Sequence, residues 1–270
     1  MSAVRKIRVG AVNYLNTKPL IFGLAERAPQ IDLVLDLPSR LATRLAAGDL
    51  DVALIPSIES FQDPTYSIIS DACIACTGPV LSVKLFSRVP PESIRTLALD
   101  EGSRTSAALV QILLDERFGI RPALAPLPIG DSLAETNADA VLLIGDRAIH
   151  SPLESFVSVW DLGDEWCRWA ELPFVFALWT ARAGVDLDGL DVALADARDL
   201  GLQNLPAIAA REAAPLGLTQ PECLAYLRDN LHFTFGPRER RGLAHFYRLA
   251  AARGLAPQGV DLAFADYTHS

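Results

Sequence analysis

The sequence has no apolar run approaching the ~20 residues that a membrane-spanning helix requires, so no transmembrane segment is expected. Histidine is scarce: His150, His232, His245 and His269 never pair at His-x-x-x-His spacing, which argues against a zinc site. There is no Gly-x-Ser-x-Gly elbow and no Walker-type glycine-rich loop ending in Gly-Lys-Ser/Thr. The first strand is not followed by Gly-x-Gly-x-x-Gly, so no dinucleotide cofactor is expected. Basic residues are outnumbered, 24 Lys and Arg against 33 Asp and Glu, for a net charge of −9. Nucleic acid needs clustered cations and is not an expected partner. A small anion stays open, because a local pocket can oppose the global sign.

Cysteine is also sparse, at four residues: Cys73, Cys76, Cys167 and Cys223. Cys73 and Cys76 form a C-x-x-C, but within Ala72–Thr77, which reads as strand. A redox C-x-x-C opens a helix, whose dipole lowers the thiol pKa, and no second pair follows at zinc spacing. Buried, reduced thiols are the expectation, and no metal is expected. Residues 1–7 carry no long apolar run before a cleavage site, so no signal peptide is read and the expected location is cytoplasmic.

What is present is a hydrophobic half of 270 residues, enough for one large domain or two modest ones. Strands are read at Ile7–Val12, Ile31–Leu37 and Asp51–Pro56, with helices at Pro19–Ala28 and Arg40–Ala47 between them. This alternation implies parallel pairing with right-handed crossovers. Tyr66–Cys76 is extended and apolar, Gly78-Pro79 turns the chain, and Val80–Ser87 is read as a strand leaving the first unit. Val89-Pro90-Pro91-Glu92 reads as a linker. A second unit follows: strand Thr96–Leu99, helix Ala107–Phe118, and strands Pro122–Leu127, Ala138–Ile144 and Val157–Leu162. The apolar run Leu172–Trp179 returns the chain to the first unit, which helices at Leu187–Ala214, Pro221–Asn230 and Pro237–Ala252 complete. A short segment, Gly259–Tyr267, closes the chain. The four tryptophans read as core and hinge packing. The expected fold is α/β, type II periplasmic-binding-protein-like, with two α/β domains and an interdomain cleft. Residues 1–88 with 176–270 form the first domain and 89–175 the second.

Open α/β sheets bind ligands outside the carboxyl ends of their strands, and four polar stretches stand there. Tyr14-Leu15-Asn16-Thr17 follows the first strand; Asn16 is a helix cap or an amide that contacts a ligand, and spacing does not choose. Ser82, beside a domain crossing, binds a ligand oxygen or a neighbouring backbone group. Ser103-Arg104-Thr105-Ser106 opens a helix, where N–H groups and hydroxyls make an anion site. Arg104 adds a bidentate carboxylate contact, pairs with Asp100 or points to solvent. Asp146, after Gly145, orients a ligand hydroxyl or caps the following turn. Ser57 and Glu59 follow the third strand and face the same cleft.

These stretches occur in an order that resembles the chorismate dehydratases of the futalosine route to menaquinone. The resemblance rests on Tyr14-Leu15-Asn16-Thr17 with Pro19, Gly48–Glu59, Ser82-Val83 with Ser87, Ser103–Ser106, Leu143–Asp146 and Leu172–Ala177 with Trp179. The family's Thr-Gly before Leu-Pro-Phe is Ala170-Glu171 here, a departure at the hinge. The resemblance implies a binding-protein scaffold that became a carbon–oxygen lyase. Chorismate loses water, its ring becomes aromatic, and 3-(1-carboxyvinyloxy)benzoate forms without a cofactor. For that substrate, Thr105 and Ser106 seat one carboxylate, Ser82 holds a carboxylate from the other side, and Asn16 positions the leaving hydroxyl or the enolpyruvyl group. Tyr14, Thr17, Ser57, Arg104, Gly145 and Asp146 complete the candidate ligand contacts. The base is Glu59 or the substrate's own side-chain carboxylate. A ligand-binding module on the same scaffold and the later enzyme of the same pathway are the competing readings.

Overall fold

A computed structural model describes residues 6–131, 133–150 and 155–260; of the expected closing segment, residues 261–267 lie outside them. The first unit begins with β1 (Ile7–Val12). A 3-10 helix, Leu15–Ile21, and a single turn, α1 (Leu24–Arg27), stand where one helix from Pro19 was expected. Tyr14 occupies the N-cap without a side-chain bond, and Asn16 and Thr17 fall inside the 3-10 helix, so neither caps it. Next come β2 (Ile31–Asp36), α2 (Pro38–Ala47) and β3 (Val52–Pro56). Pro38 suits the first turn of α2 because its missing N–H has no partner to lose. Leu41, Ala42 and Leu45, at helical spacing, bury its inner face.

β4 (Ser67–Cys76) is the last strand of the first unit before the chain crosses. β5 (Val83–Ser87), expected to belong to that unit, instead joins the second sheet. Its partners there, Ala140–Ile144 and Ser158–Asp161, lie far along the chain, and alternation alone cannot reveal them. The expected linker at 89–92 is likewise inside the second unit, where Pro91–Ser93 forms a 3-10 turn. It leads to β6 (Thr96–Asp100), α3 (Arg104–Phe118), β7 (Ala123–Leu127), β8 (Ala140–Ile144), α4 (Asp146–Ile149), β9 (Ser158–Asp161) and α5 (Leu162–Ala170).

The chain then returns as β10 (Phe174–Ala181), every residue of which is buried. The expected helix over 187–214 is two, α6 (Leu190–Gln203) and α7 (Leu205–Glu212), since Pro206 cannot donate into a continuing helix. α8 (Gln220–Ala225) is capped by Thr219, as expected, and runs into a π-helical turn, Tyr226–Asn230. β11 (His232–Thr234) and α9 (Pro237–Ala252) follow.

The first sheet has the order β11-β4-β10-β3-β1-β2 and the second β7-β6-β8-β5-β9. β1, β2 and β3 are parallel, as are β6, β7 and β8, while β10 and β5 run antiparallel to their neighbours. The carboxyl ends of β1 and β3 therefore meet those of β6 and β8 between the two sheets.

Two crossings join the units, at 77–82 and 171–173. The Asp161 carboxylate binds Val80 N–H (2.9 Å), Leu81 N–H (2.6 Å), Gly163 N–H (3.0 Å) and Asp164 N–H (3.1 Å). It thus fixes the first crossing and caps α5 together. The second crossing is held at Pro173, whose carbonyl accepts from Trp166 Nε1 (3.2 Å). A Cβ on Gly242 would sit 2.1 Å from that same carbonyl oxygen, so α9 reaches the crossing only through a glycine. Trp166 packs edge-on to Phe174 (5.2 Å) and Phe246 (6.2 Å) between these elements.

Glu171 ends α5 with φ +56°, a left-handed conformation that a side chain disfavours. This is the position at which the sequence departs from Thr-Gly. Glu171→Gly is expected to raise stability by about 1 kcal/mol, read as a higher urea midpoint at unchanged m-value.

Candidate active site

A cavity lies between the sheets, and its walls enclose a space of ≈ 500 Å³, part of it open to solvent. Val12 and Pro56, at the ends of β1 and β3, and Ile144, at the end of β8, line it. Phe176 and Ala177 of β10 form its floor with Ile74 of β4. Polar groups reach it from both units: Asn16 and Tyr14 from the first, Ser103, Thr105 and Ser106 from the second, and Ser82 from the first crossing.

Of the residues singled out in the sequence, Tyr14, Asn16, Ser82, Thr105, Ser106 and Gly145 line the cavity. Thr17, Ser57, Glu59, Arg104 and Asp146 are not among its walls; all but Thr17, which bonds to Asn16 beside it, join the two units around the cavity. Arg104 Nη1 donates to Glu59 at 2.9 Å, and its Nη2 donates to Thr43 Oγ1 at 2.8 Å. Arg104 does not pair with Asp100; that carboxylate accepts from Arg147 Nη2 at 2.6 Å. Ser57 Oγ donates to the Val175 carbonyl (2.7 Å) and lies 3.4 Å from Thr105 Oγ1. Thr105 Oγ1 also accepts the Ile58 N–H at 3.2 Å, so the helix start of one unit is bonded to the strand end of the other.

Asp146 does cap a helix, but not its own. Its Oδ1 accepts the Leu15 N–H at 3.0 Å, capping the 3-10 helix Leu15–Ile21 across the cleft. Burial raises its pKa, and the Leu15 bond pulls against that shift. Tyr14, beside it, covers Gly145. A Cβ there would lie 2.8 Å from the Tyr14 ring, and Gly145 has φ +70°, ψ −158°, a conformation essentially confined to glycine. The Tyr14 phenol is held neutral by burial, reinforced by Asp100 and Asp146.

At the N-terminus of α3, Ser103 is the N-cap, and its hydroxyl accepts the Ser106 N–H (3.2 Å). Ser103 itself lines the cavity; the sequence reading placed it in the anion-site stretch but did not count it among the ligand contacts. Among the described residues lining the cavity none is Asp, Glu, His, Lys or Arg. The walls offer hydroxyls, an amide and a helix N-terminus, a set that receives anionic oxygens without a fixed countercharge. Phe176 and Tyr226 were also missed. Phe176 lay in an apolar run read only as strand, and Tyr226 lay in a predicted helix with no local polar signal.

Two α/β units joined by two crossings, with a cavity between facing strand ends, define the periplasmic-binding-protein-like class. Solved structures bear this out as to fold. Protein AF1704 from Archaeoglobus fulgidus superposes with a TM-score of 0.71 at 16% identity, covering 93% of this chain and 98% of that one. The periplasmic aliphatic sulphonate binding protein SsuA from Escherichia coli gives 0.61 at 17%, covering 96% and 90%. Within that class the chain belongs to the menaquinone biosynthesis family, whose profile matches residues 7–252. It is 32% identical to a chorismate dehydratase from Thermus thermophilus, over 93% of this chain and 97% of that protein.

Two outcomes follow from the closure contacts. Because Asp146 holds its proton more tightly when folded, the folded state loses stability as pH rises from its ordinary 3.8 through the raised value. Asp146→Asn keeps an acceptor for Leu15 and removes that loss. Its stability relative to wild type should therefore increase as pH rises from about 3.8 to 7, by chemical denaturation at each pH. Gly145→Ala adds backbone strain and a clash with Tyr14, and should cost about 2–4 kcal/mol, seen as a lowered melting temperature.

Proposed function

We propose that this protein is a chorismate dehydratase, acting in the futalosine route to menaquinone and releasing 3-(1-carboxyvinyloxy)benzoate and water. The observation that carries the reading is a cavity whose walls match a neutral-walled dicarboxylate site, in a chain of this family. Chorismate presents two carboxylates and a hydroxyl. The α3 N-terminus with Thr105 and Ser106 receives one carboxylate, and Ser82 meets a carboxylate from the opposite wall. Asn16 positions the leaving hydroxyl or the enolpyruvyl group. Thr17, Ser57 and Asp146 hold the walls in place, with Tyr14 and Gly145 closing them over the ligand. The substrate is the only partner proposed, with no nucleic acid or membrane, and the proposed location is cytoplasmic.

The geometry favours the substrate's own side-chain carboxylate as the base. Glu59 is the other candidate, but its carboxylate is paired with Arg104 and is not among the cavity walls. The substrate carboxylate takes the ring C–H proton and passes it to the departing hydroxyl, which leaves as water while the freed C–H electron pair completes the aromatic ring; aromaticity supplies the driving force. The reaction consumes no redox equivalent, and no cofactor is invoked. The protein supplies orientation and electrostatic stabilisation.

The test is to incubate the pure protein with chorismate and follow absorbance and mass. Loss of one water without an added cofactor is expected. Chorismate left unchanged at high protein concentration would return the binding-module reading. Asn16→Ala should lower kcat by about 100-fold, whereas Glu59→Gln should retain turnover. Full turnover by the first variant with loss in the second, at unchanged binding, would assign the base to Glu59.

A further inference from the structure

Tyr226 is fully shut from solvent and does not line the cavity, yet its phenol reaches Ser82 of the cavity wall. It opens the π-helical turn Tyr226–Asn230, and such bulges turn one side chain out of helical register. The phenol donates to Ser82 Oγ at 2.9 Å.

The two side chains come from a domain crossing and a π turn, 144 residues apart in sequence. The hydrogen between them has a defined direction: Tyr226 gives one to Ser82. Ser82 has then filled an acceptor position, and its own hydrogen is left to point into the cavity that it lines. Successive donations of this kind polarise one another and strengthen the last donor.

We infer that Tyr226 is a positioning residue: it fixes Ser82 as a hydrogen-bond donor to an anionic oxygen of the ligand. This rests on the reading of the cavity as the chorismate site. The role requires a neutral phenol, since a phenolate cannot donate to Ser82, and burial keeps it neutral. Leu81 prepares the other end of the contact. Its left-handed backbone (φ +60°) and its N–H bond to Asp161 aim the following residue, so Ser82 and Tyr226 meet without local sequence proximity.

Tyr226→Phe removes one oxygen and keeps the ring that the core packs. The experiment measures chorismate turnover and binding for wild type, Tyr226→Phe, Ser82→Ala and the double variant, with melting temperatures alongside. Tyr226→Phe is expected to fold, to raise KM and to lower kcat/KM by roughly 10–100-fold, as expected for a hydrogen bond to a charged group. Ser82→Ala should lose a similar amount, and the double variant should lose no more than about threefold beyond either single one. A purely structural tyrosine would lower the melting temperature and multiply with Ser82→Ala. A Tyr226→Phe protein that fails to fold, one that turns over as wild type does, or losses that multiply in the double variant would each overturn the inference while wild type remains active. A wild-type protein inert toward chorismate overturns the functional reading and this role with it.

Discussion

Four backbone amides on one carboxylate hold this architecture together. Burying a carboxylate is costly unless its lone pairs are filled, and Asp161 fills them with the N–H groups of Val80, Leu81, Gly163 and Asp164. Burial pushes its pKa up and these amides pull it back. The residue ends β9, caps α5 and pins the crossing out of the first sheet. Through α5 and Trp166 it also bears on the crossing back, where Pro173 lies. The left-handed Leu81 is tolerated because its N–H is anchored there, and Ser82 takes its direction from that anchor.

The cavity follows from this arrangement. Fixed crossings bring the carboxyl ends of two parallel strand sets face to face, and the side chains after those ends become its polar walls. The ionisable residues of the region are spent on each other at the rim, as Arg104 with Glu59 and Arg147 with Asp100. The interior keeps hydroxyls, an amide and a helix N-terminus. Such walls recognise an anion by direction rather than by charge, which suits a substrate that must lose water without being trapped in an ion pair.

Much of the fold was legible because its signals are local. Apolar strand runs, Pro38 before a helix and Gly48 after it each act within a turn or two, and the parallel units follow from their alternation. The four polar stretches were legible for the same reason, since strand-end positions can be read in one dimension. What escaped is long-range. Val83–Ser87 alternates equally well in either sheet, and only its distant partners assign it. Asn16 and Thr17 look like caps, but the cap for that helix is Asp146 from the other unit. Tyr226 carries no local mark at all, because its meaning lies in a residue far back in the chain.

β10 has a consequence for how the molecule is made. It is the centre of the first sheet, lying between β3 and β4, yet among the described residues it is followed only by helices and one short strand. Until it emerges from synthesis, β3 and β4 each present an unpaired edge, and the whole second unit must be threaded out before the gap is filled. The strand that fills this gap is also the one that supplies Phe176 to the cavity floor. Sheets completed late by distant segments fold slowly and expose edges while they wait. The chain accordingly acquires its ligand-binding surface at the moment it loses its most aggregation-prone one.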